Sequence, residues 1–253
     1  MAIEIDLSGR VVLVTGGTRG IGAGIGETFL RAGAEVYACA REPVDRLPSH
    51  GARSAEFRQA DVRDAEQVAG LIAEITRRSG RLDVVVNNAG GTPVADTARA
   101  SIRLHRKVVE LNLIAPLLVA QHARPVLADH GGSIIMISSV SGSRPSPGTA
   151  AYGAAKAGLD NLTGTLAQEF APRVRVNAVV VGLVRSAGQA EHYGDEPAAI
   201  SGIVPMGRLA EPADVGNACV FLASPMAAHI TGSTVTVDGG GERSAYLTAR
   251  RTI

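Results

Sequence analysis

Tyr152 and Lys156 stand four residues apart at the start of a predicted helix, so both side chains project from one face. A free tyrosine titrates near about 10 and carries little phenolate at neutral pH. A neighbouring ammonium stabilises the phenolate, and a helix N-terminus acts in the same direction. Such a tyrosine can give a proton to an oxygen or take one away, help worth about 10²–10⁴ in rate. The chain has only four tyrosines and two lysines, Lys107 and Lys156, so a chance pairing at a helix start is a poor explanation.

The other chemistry-bearing stretch lies near the N-terminus. The apolar run Val11–Thr15 leads into Thr15-Gly-Gly-Thr-Arg-Gly-Ile-Gly22 and then a helical pattern. A glycine-rich turn between strand and helix lets backbone N–H groups approach a phosphate, with the positive end of the helix dipole behind them. Alone, Gly16, Gly20 and Gly22 could also make an ordinary tight turn. The second apolar run ends in Cys39-Ala40-Arg41, where a pyridine-nucleotide fold usually carries an acid for the ribose 2′-hydroxyl. Ala40 takes that place and Arg41 follows. Guanidinium groups match phosphate oxygens bidentately, and Arg19 supplies a second. The missing acid and the two arginines point to NADP(H) over NAD(H).

The elements that must position these residues are visible as short apolar runs at Val11–Thr15, Glu35–Ala40, Ala55–Ala60, Val84–Asn87, Ser133–Ser138, Val174–Val181 and Val235–Asp238. Most are apolar at consecutive positions, as in strands buried on both faces. Helical patterns lie between them near 20–32, 64–79, 97–128, 150–171 and 211–223. Alternation of this kind predicts a Rossmann-like, doubly wound α/β fold: a parallel sheet of about seven strands with helices on both faces, one domain over 1–253. Ligands bind such sheets beyond the carboxyl ends of the strands. The stretch Arg41–Ser54 contains Pro43 and Pro48, so its helix is expected to be short.

Composition narrows the function classes. With 25 basic and 24 acidic residues the net charge is +1, which gives no electrostatic footprint for nucleic acid or an anionic membrane. The 45% hydrophobic and 19% charged content argues against disorder. Cys39 and Cys219 cannot make a disulfide framework, and Cys39, inside an apolar run, reads as an inert core thiol. His105, His122 and His192 have no metal-ligand spacing, so no metal is expected. No apolar run approaches the roughly 18 residues of a membrane span, and the N-terminal segment lacks the pattern of a secretory signal. A cytoplasmic protein is expected.

These residues together resemble the short-chain dehydrogenase/reductase family over about residues 7–240, most closely its 3-oxoacyl carrier-protein reductase-like and tropinone-reductase-like branches. Thr15 to Gly22, including Thr18 and Ile21, matches the family's TGxxxGxG loop, and Asn87-Asn88-Ala89-Gly90 its NNAG motif. Asp61 with Val62 resembles its adenine-binding acid, Tyr152-Gly-Ala-Ala-Lys156 its YxxxK. Ser139, 13 residues before Tyr152, and Asn112 complete its tetrad. The resemblance implies hydride transfer between nicotinamide and a small carbonyl or alcohol substrate. Tyr152 would be the acid/base and Ser139 a donor to the substrate oxygen. Lys156 would hold the nicotinamide ribose, and Asn112 a water. Two other roles stay open: Ser139 as a strand-end cap, and Asn112 as a backbone partner across a helix kink. After the sixth long strand the family's Pro-Gly and threonine are replaced by Val181-Gly182-Leu183-Val184-Arg185-Ser186, so Gly182, Val184 and Ser186 are expected at the cofactor. The enoyl-reductase branch would need a longer tyrosine–lysine spacing. An NAD-linked alcohol dehydrogenase is opposed by Ala40 and Arg41, and a silent nucleotide-sensing regulator by the retained tyrosine and lysine. Substrate contacts are expected from 91–96, 140–149 and 183–207, with 189–195 as a lid, and Arg144 or Arg185 could meet an acidic group. Helices 97–128 and 150–171 resemble the family's dimer-forming pair, so a homodimer or homotetramer is expected, with 239–253 covering a neighbour.

Overall fold

A computed structural model describes residues 5–185 and 202–242. The strands are β1 (Val11–Thr15), β2 (Glu35–Ala40), β3 (Ser49–His50), β4 (Arg53–Ser54), β5 (Glu56–Gln59), β6 (Val84–Asn87), β7 (Ser133–Ser139), β8 (Arg175–Val181) and β9 (Thr234–Val237). Seven of them form one parallel sheet in the order β5-β2-β1-β6-β7-β8-β9. The order reverses between β1 and β6, and this switch point opens the crevice in which such sheets bind ligands. Each apolar run of the sequence lies on one of these seven strands, with ends shifted by a residue or two.

The helices are α1 (Gly20–Arg31), α2 (Ala65–Ser79), α3 (Ile102–Val109), α4 (Ala115–His130), α5 (Ala150–Phe170) and α6 (Pro212–Ala223). Their apolar stripes bury two cores. One, around Leu71, Ile75, Val119, Leu127 and Leu159, joins α2, α4 and α5 to one face of the sheet. The other, around Ile25, Phe29, Val215 and Leu222, joins α1 and α6 to the opposite face. Every side chain of β1 is buried, which explains why its apolar residues are consecutive. Asp64 caps α2 by accepting from the N–H groups of Glu66 and Gln67, and Gly80 ends that helix at φ 72°.

Two expectations need correction. Arg41–Ser54 forms no helix; β3 and β4 pair there as a small antiparallel hairpin. Pro43 and Pro48 break the helical hydrogen-bond ladder, and the segment is too short to recover it between them. The helix read over 97–128 is two helices. It starts at Ile102, capped by the Ser101 hydroxyl, and is interrupted by one π-turn over Glu110–Ile114. Turns of that kind concentrate at functional sites.

Candidate active site

The glycine loop is built so that only glycine fits. Gly16 and Gly20 have φ of 61° and 54°, in the left-handed region. A Cβ on Gly22 would lie 2.2 Å from the Gly16 carbonyl oxygen, and one on Gly17 would lie 2.7 Å from that of Val14. The N-cap of α1 is Arg19, which makes no side-chain cap, and the first turn holds no acid. The helix therefore presents N–H groups without a side-chain cap at the mouth of the crevice. Arg19 and Arg41 are exposed and make no salt bridge among the described residues, whereas Ala40 is part-buried at the end of β2.

Thr15 ties this loop to the next one. Its hydroxyl donates to the Val86 carbonyl at 3.3 Å and accepts the N–H groups of Asn88 and Ala89, each at 3.0 Å. Asn88 returns the tie by donating its amide to the carbonyls of Thr15 and Gly16 at 2.9 and 3.1 Å. So Asn88 braces the glycine loop, and Thr15, which sequence reasoning did not single out, is the hub. Its signal was its place as the only polar residue in a buried strand. After β5, Asp61 receives a bidentate bond from Arg63 at 2.9 and 2.6 Å. This bond and the Arg63 backbone N–H hold its carboxyl below the usual range, and Arg41 adds a Coulomb pull. Val62 beside it is buried.

Lys156 is 4% exposed, its Nζ donating to the Ile137 carbonyl at 2.7 Å and lying 5.5 Å from the Tyr152 ring centroid. Burial lowers its pKa to about 8, opposed by Asp160. Tyr152 lies in the first turn of α5, its N–H on the Thr149 carbonyl at 3.0 Å. Ser139 ends β7 in extended backbone, and its hydroxyl accepts from the Ser141 N–H at 3.2 Å, so it does cap the short 3₁₀ turn Val140–Gly142. A Cβ on Gly90 would lie 2.7 Å from Asn112 Oδ1 and 3.5 Å from Lys156 Nζ, which brings the 87–90 loop, the π-turn and α5 together.

Asn112 is fully buried in the π-turn. Its amide donates to the carbonyls of Gly91 and Val108 at 2.9 and 2.8 Å, and its Oδ1 accepts from the Gly91 N–H at 2.9 Å. These are backbone partners across a kink, and they fix the 90–91 loop. Gly182 passes close to β9: its N–H meets the Val237 carbonyl at 3.0 Å, and a Cβ there would lie 2.6 Å from that of Asp238. Val184 is buried and bridges to Ala210. Ser186 and the expected lid 189–195 lie outside the described residues. Arg144 pairs with Glu242, and Arg185 with Glu211 at 2.9 Å, so both have acidic partners within the chain. Cys39 is buried and its thiol is pushed up to about 12. Among the described residues no cluster of three possible metal ligands occurs, and no helix is long and apolar enough to cross a membrane.

A sheet with its switch point at a glycine cradle, beside a tyrosine–lysine pair on one helix, defines a nucleotide-dependent dehydrogenase fold. A family model described as enoyl-(acyl carrier protein) reductase matches residues 16–242. The chain is 37% identical over 247 residues to 3beta-hydroxysteroid dehydrogenase 1 of Eggerthella lenta, covering 93% of this chain and 94% of that one. It is 34% identical over 241 residues to a 3-oxoacyl-[acyl-carrier-protein] reductase of Vibrio harveyi, covering 93% and 98%. Among solved structures it is similar to ligand-free aldohexose dehydrogenase of Thermoplasma acidophilum, with a TM-score of 0.86, 30% identity and coverage of 99% and 98%. The chain belongs to the short-chain dehydrogenase/reductase family.

Proposed function

We propose that this protein is an NADP(H)-dependent oxidoreductase that interconverts a carbonyl and a secondary alcohol, with Tyr152 as the acid/base. The observation that carries the reading is the buried Lys156 ammonium 5.5 Å from the Tyr152 ring. Membership of the family makes it an oxidoreductase acting on CH–OH or C=O groups. The names of its relatives speak of a hydroxysteroid, a 3-oxoacyl chain and an aldohexose, each with a hydroxyl or oxo carbon.

The residues present fit a pyridine dinucleotide. The cradle that a Cβ at Gly17 or Gly22 would fill, next to the uncapped start of α1, suits a pyrophosphate. Arg19 and Arg41, with no carboxylate at Ala40, suit a 2′-phosphate. Asp61, Val62, Ala89, Gly90, Gly182 and Val184 would line the rest, and Lys156 would hold the ribose. When bound, the nicotinamide supplies or accepts the hydride. Tyr152 then gives its phenolic proton to the developing alkoxide in reduction and removes the alcohol proton in oxidation. Ser139 donates to the same oxygen, where negative charge develops. Asn112 acts at one remove by fixing the Gly90–Gly91 backbone. The tyrosine–lysine spacing of four favours carbonyl over enoyl reduction. The exposed face of α5 at Ala154, Ala157, Asn161 and Thr165 supports a homodimer or homotetramer, and we place the protein in the cytoplasm.

The test is cofactor binding and turnover over a panel of ketones and secondary alcohols. NADPH should bind at least about tenfold tighter than NADH, and Arg41→Ala should weaken NADPH alone. Tyr152→Phe should keep cofactor affinity and lower turnover by about 10² or more. Normal turnover in that variant would assign the proton to another group.

A further inference from the structure

Asp160 is a half-buried carboxylate with no part in the chemistry above. It lies four residues after Lys156 on α5, so the two share a helix face. Its Oδ1 is buried with no hydrogen-bond partner, and its carboxylate faces the Ser138 hydroxyl. Its Oδ2 would be 3.2 Å from a Cβ on Gly142, in the turn that follows Ser139. That glycine packs against the backbone of Lys156 and Ala157, where a Cβ would stand 3.0 and 2.9 Å away. The carboxylate thus lies beside the turn after β7, one helical turn from Lys156 and without a direct ion pair to it.

We propose that Asp160 is a positioning residue: it is the counter-ion that keeps Lys156 a cation inside a dry site. This rests on the acid–base reading of Tyr152 and Lys156. Desolvation favours neutral lysine, and a carboxylate one turn away is the group that opposes it. The charges act on each other: burial raises the Asp160 carboxyl and Lys156 pulls it back, while Asp160 raises the lysine. The other groups packed there are uncharged. β7 offers the Ile137 carbonyl and the Ser138 hydroxyl, the 3₁₀ turn offers Ser141, the π-turn the Asn112 amide and α5 the Tyr152 phenol. On β8, Arg175 is committed elsewhere, to the Leu222 and Ile230 carbonyls. The charged residues Arg103, His105, Arg106 and Lys107 of α3 and Glu110 of the π-turn make no ion pair with either partner among the described residues. Without Asp160, Lys156 would lose its proton across neutral pH and with it the support for a phenolate.

The two lysines make a direct test possible. Protein labelled with carbon-13 at the lysine Cε carries two signals, and Lys107→Arg identifies that of Lys156. The Lys156 signal should titrate near 8 in the parent protein. In Asp160→Asn, which keeps the shape and removes the charge, its midpoint should fall by roughly one unit, a tenfold loss of proton affinity. Asp160→Glu should restore most of it, and the alkaline limb of NADPH binding should move with the signal. A merely structural aspartate would alter the melting temperature and leave the titration in place. An unchanged Lys156 midpoint in Asp160→Asn overturns the inference. If Asp160→Asn aggregates, Asp160→Ser, which also removes the charge, decides: a Lys156 midpoint and an NADPH limb unchanged from the parent in that variant also overturn it. Failure of the acid–base reading shows separately, as normal turnover in Tyr152→Phe with the lysine titration intact.

Discussion

A lysine that is 4% exposed and titrates near 8 must cost stability at neutral pH, and replacing it isolates that cost. In the unfolded chain Lys156 titrates at its ordinary value of 10.5. Its folded pKa is lowered, so between 8 and 10.5 the unfolded state binds the extra proton and stability rises with pH. The full penalty is present below the folded pKa and disappears as pH passes the unfolded one. A shift of about 2.5 units at 1.36 kcal/mol each gives about 3 kcal/mol. Lys156→Met removes this ionisation but leaves the Ile137 carbonyl without its donor, a loss of about 1–3 kcal/mol that offsets the gain at pH 7. The pH dependence is the cleaner signal, since other groups cancel between the two proteins. Urea unfolding of both should show the parent gaining on the variant by about 1.3 kcal/mol from pH 7 to 9 and about 2.5 by pH 10. Parallel stability curves over that range would refute the claim that Lys156 is a buried cation.

Gly22→Ala should abolish nucleotide binding in calorimetry while the fold persists, because its Cβ meets the Gly16 carbonyl and the Asn88 amide at 2.2 and 2.5 Å. Asp83 is buried at the opposite end of the sheet, where burial opposes ionisation but Arg81, the Val11 N–H and Arg10 outweigh it and hold its pKa low. It therefore stabilises above its unfolded pKa, and that stability is lost as pH falls through the folded one. Asp83→Asn should lower the urea midpoint at pH 7 and flatten the acid side of the stability curve. Asn112→Ala should reduce kcat and weaken NADPH together, since it releases the Gly91 backbone without touching Tyr152; a change in kcat alone would instead give its amide a direct part in the reaction.

The local patterns were sufficient for the sheet and the motif loops. Consecutive apolar residues, mostly valines, in β1, β6 and β8 declare strands buried on both faces, and glycine spacing declares a turn that only glycine can make. The Tyr152–Lys156 pair was legible for the same reason: helical periodicity alone puts residues four apart on one face. What the sequence carried no sign of depends on contacts distant along the chain. Asn112 could be a water ligand or a kink partner until the π-turn set its amide against Gly91, 21 residues away. Proline positions broke a helix in Arg41–Ser54 but did not say that a hairpin would replace it. Asp61 follows β5 as the spacing put it, yet its clamp by Arg63 needed side-chain rotamers that spacing cannot give. Burial decided the chemistry in the end. Lysine has the same intrinsic charge in any chain, and only the packing of α5 against β7 and the turn after Ser139 removes water from Lys156 and lowers its pKa, with Asp160 one helical turn away.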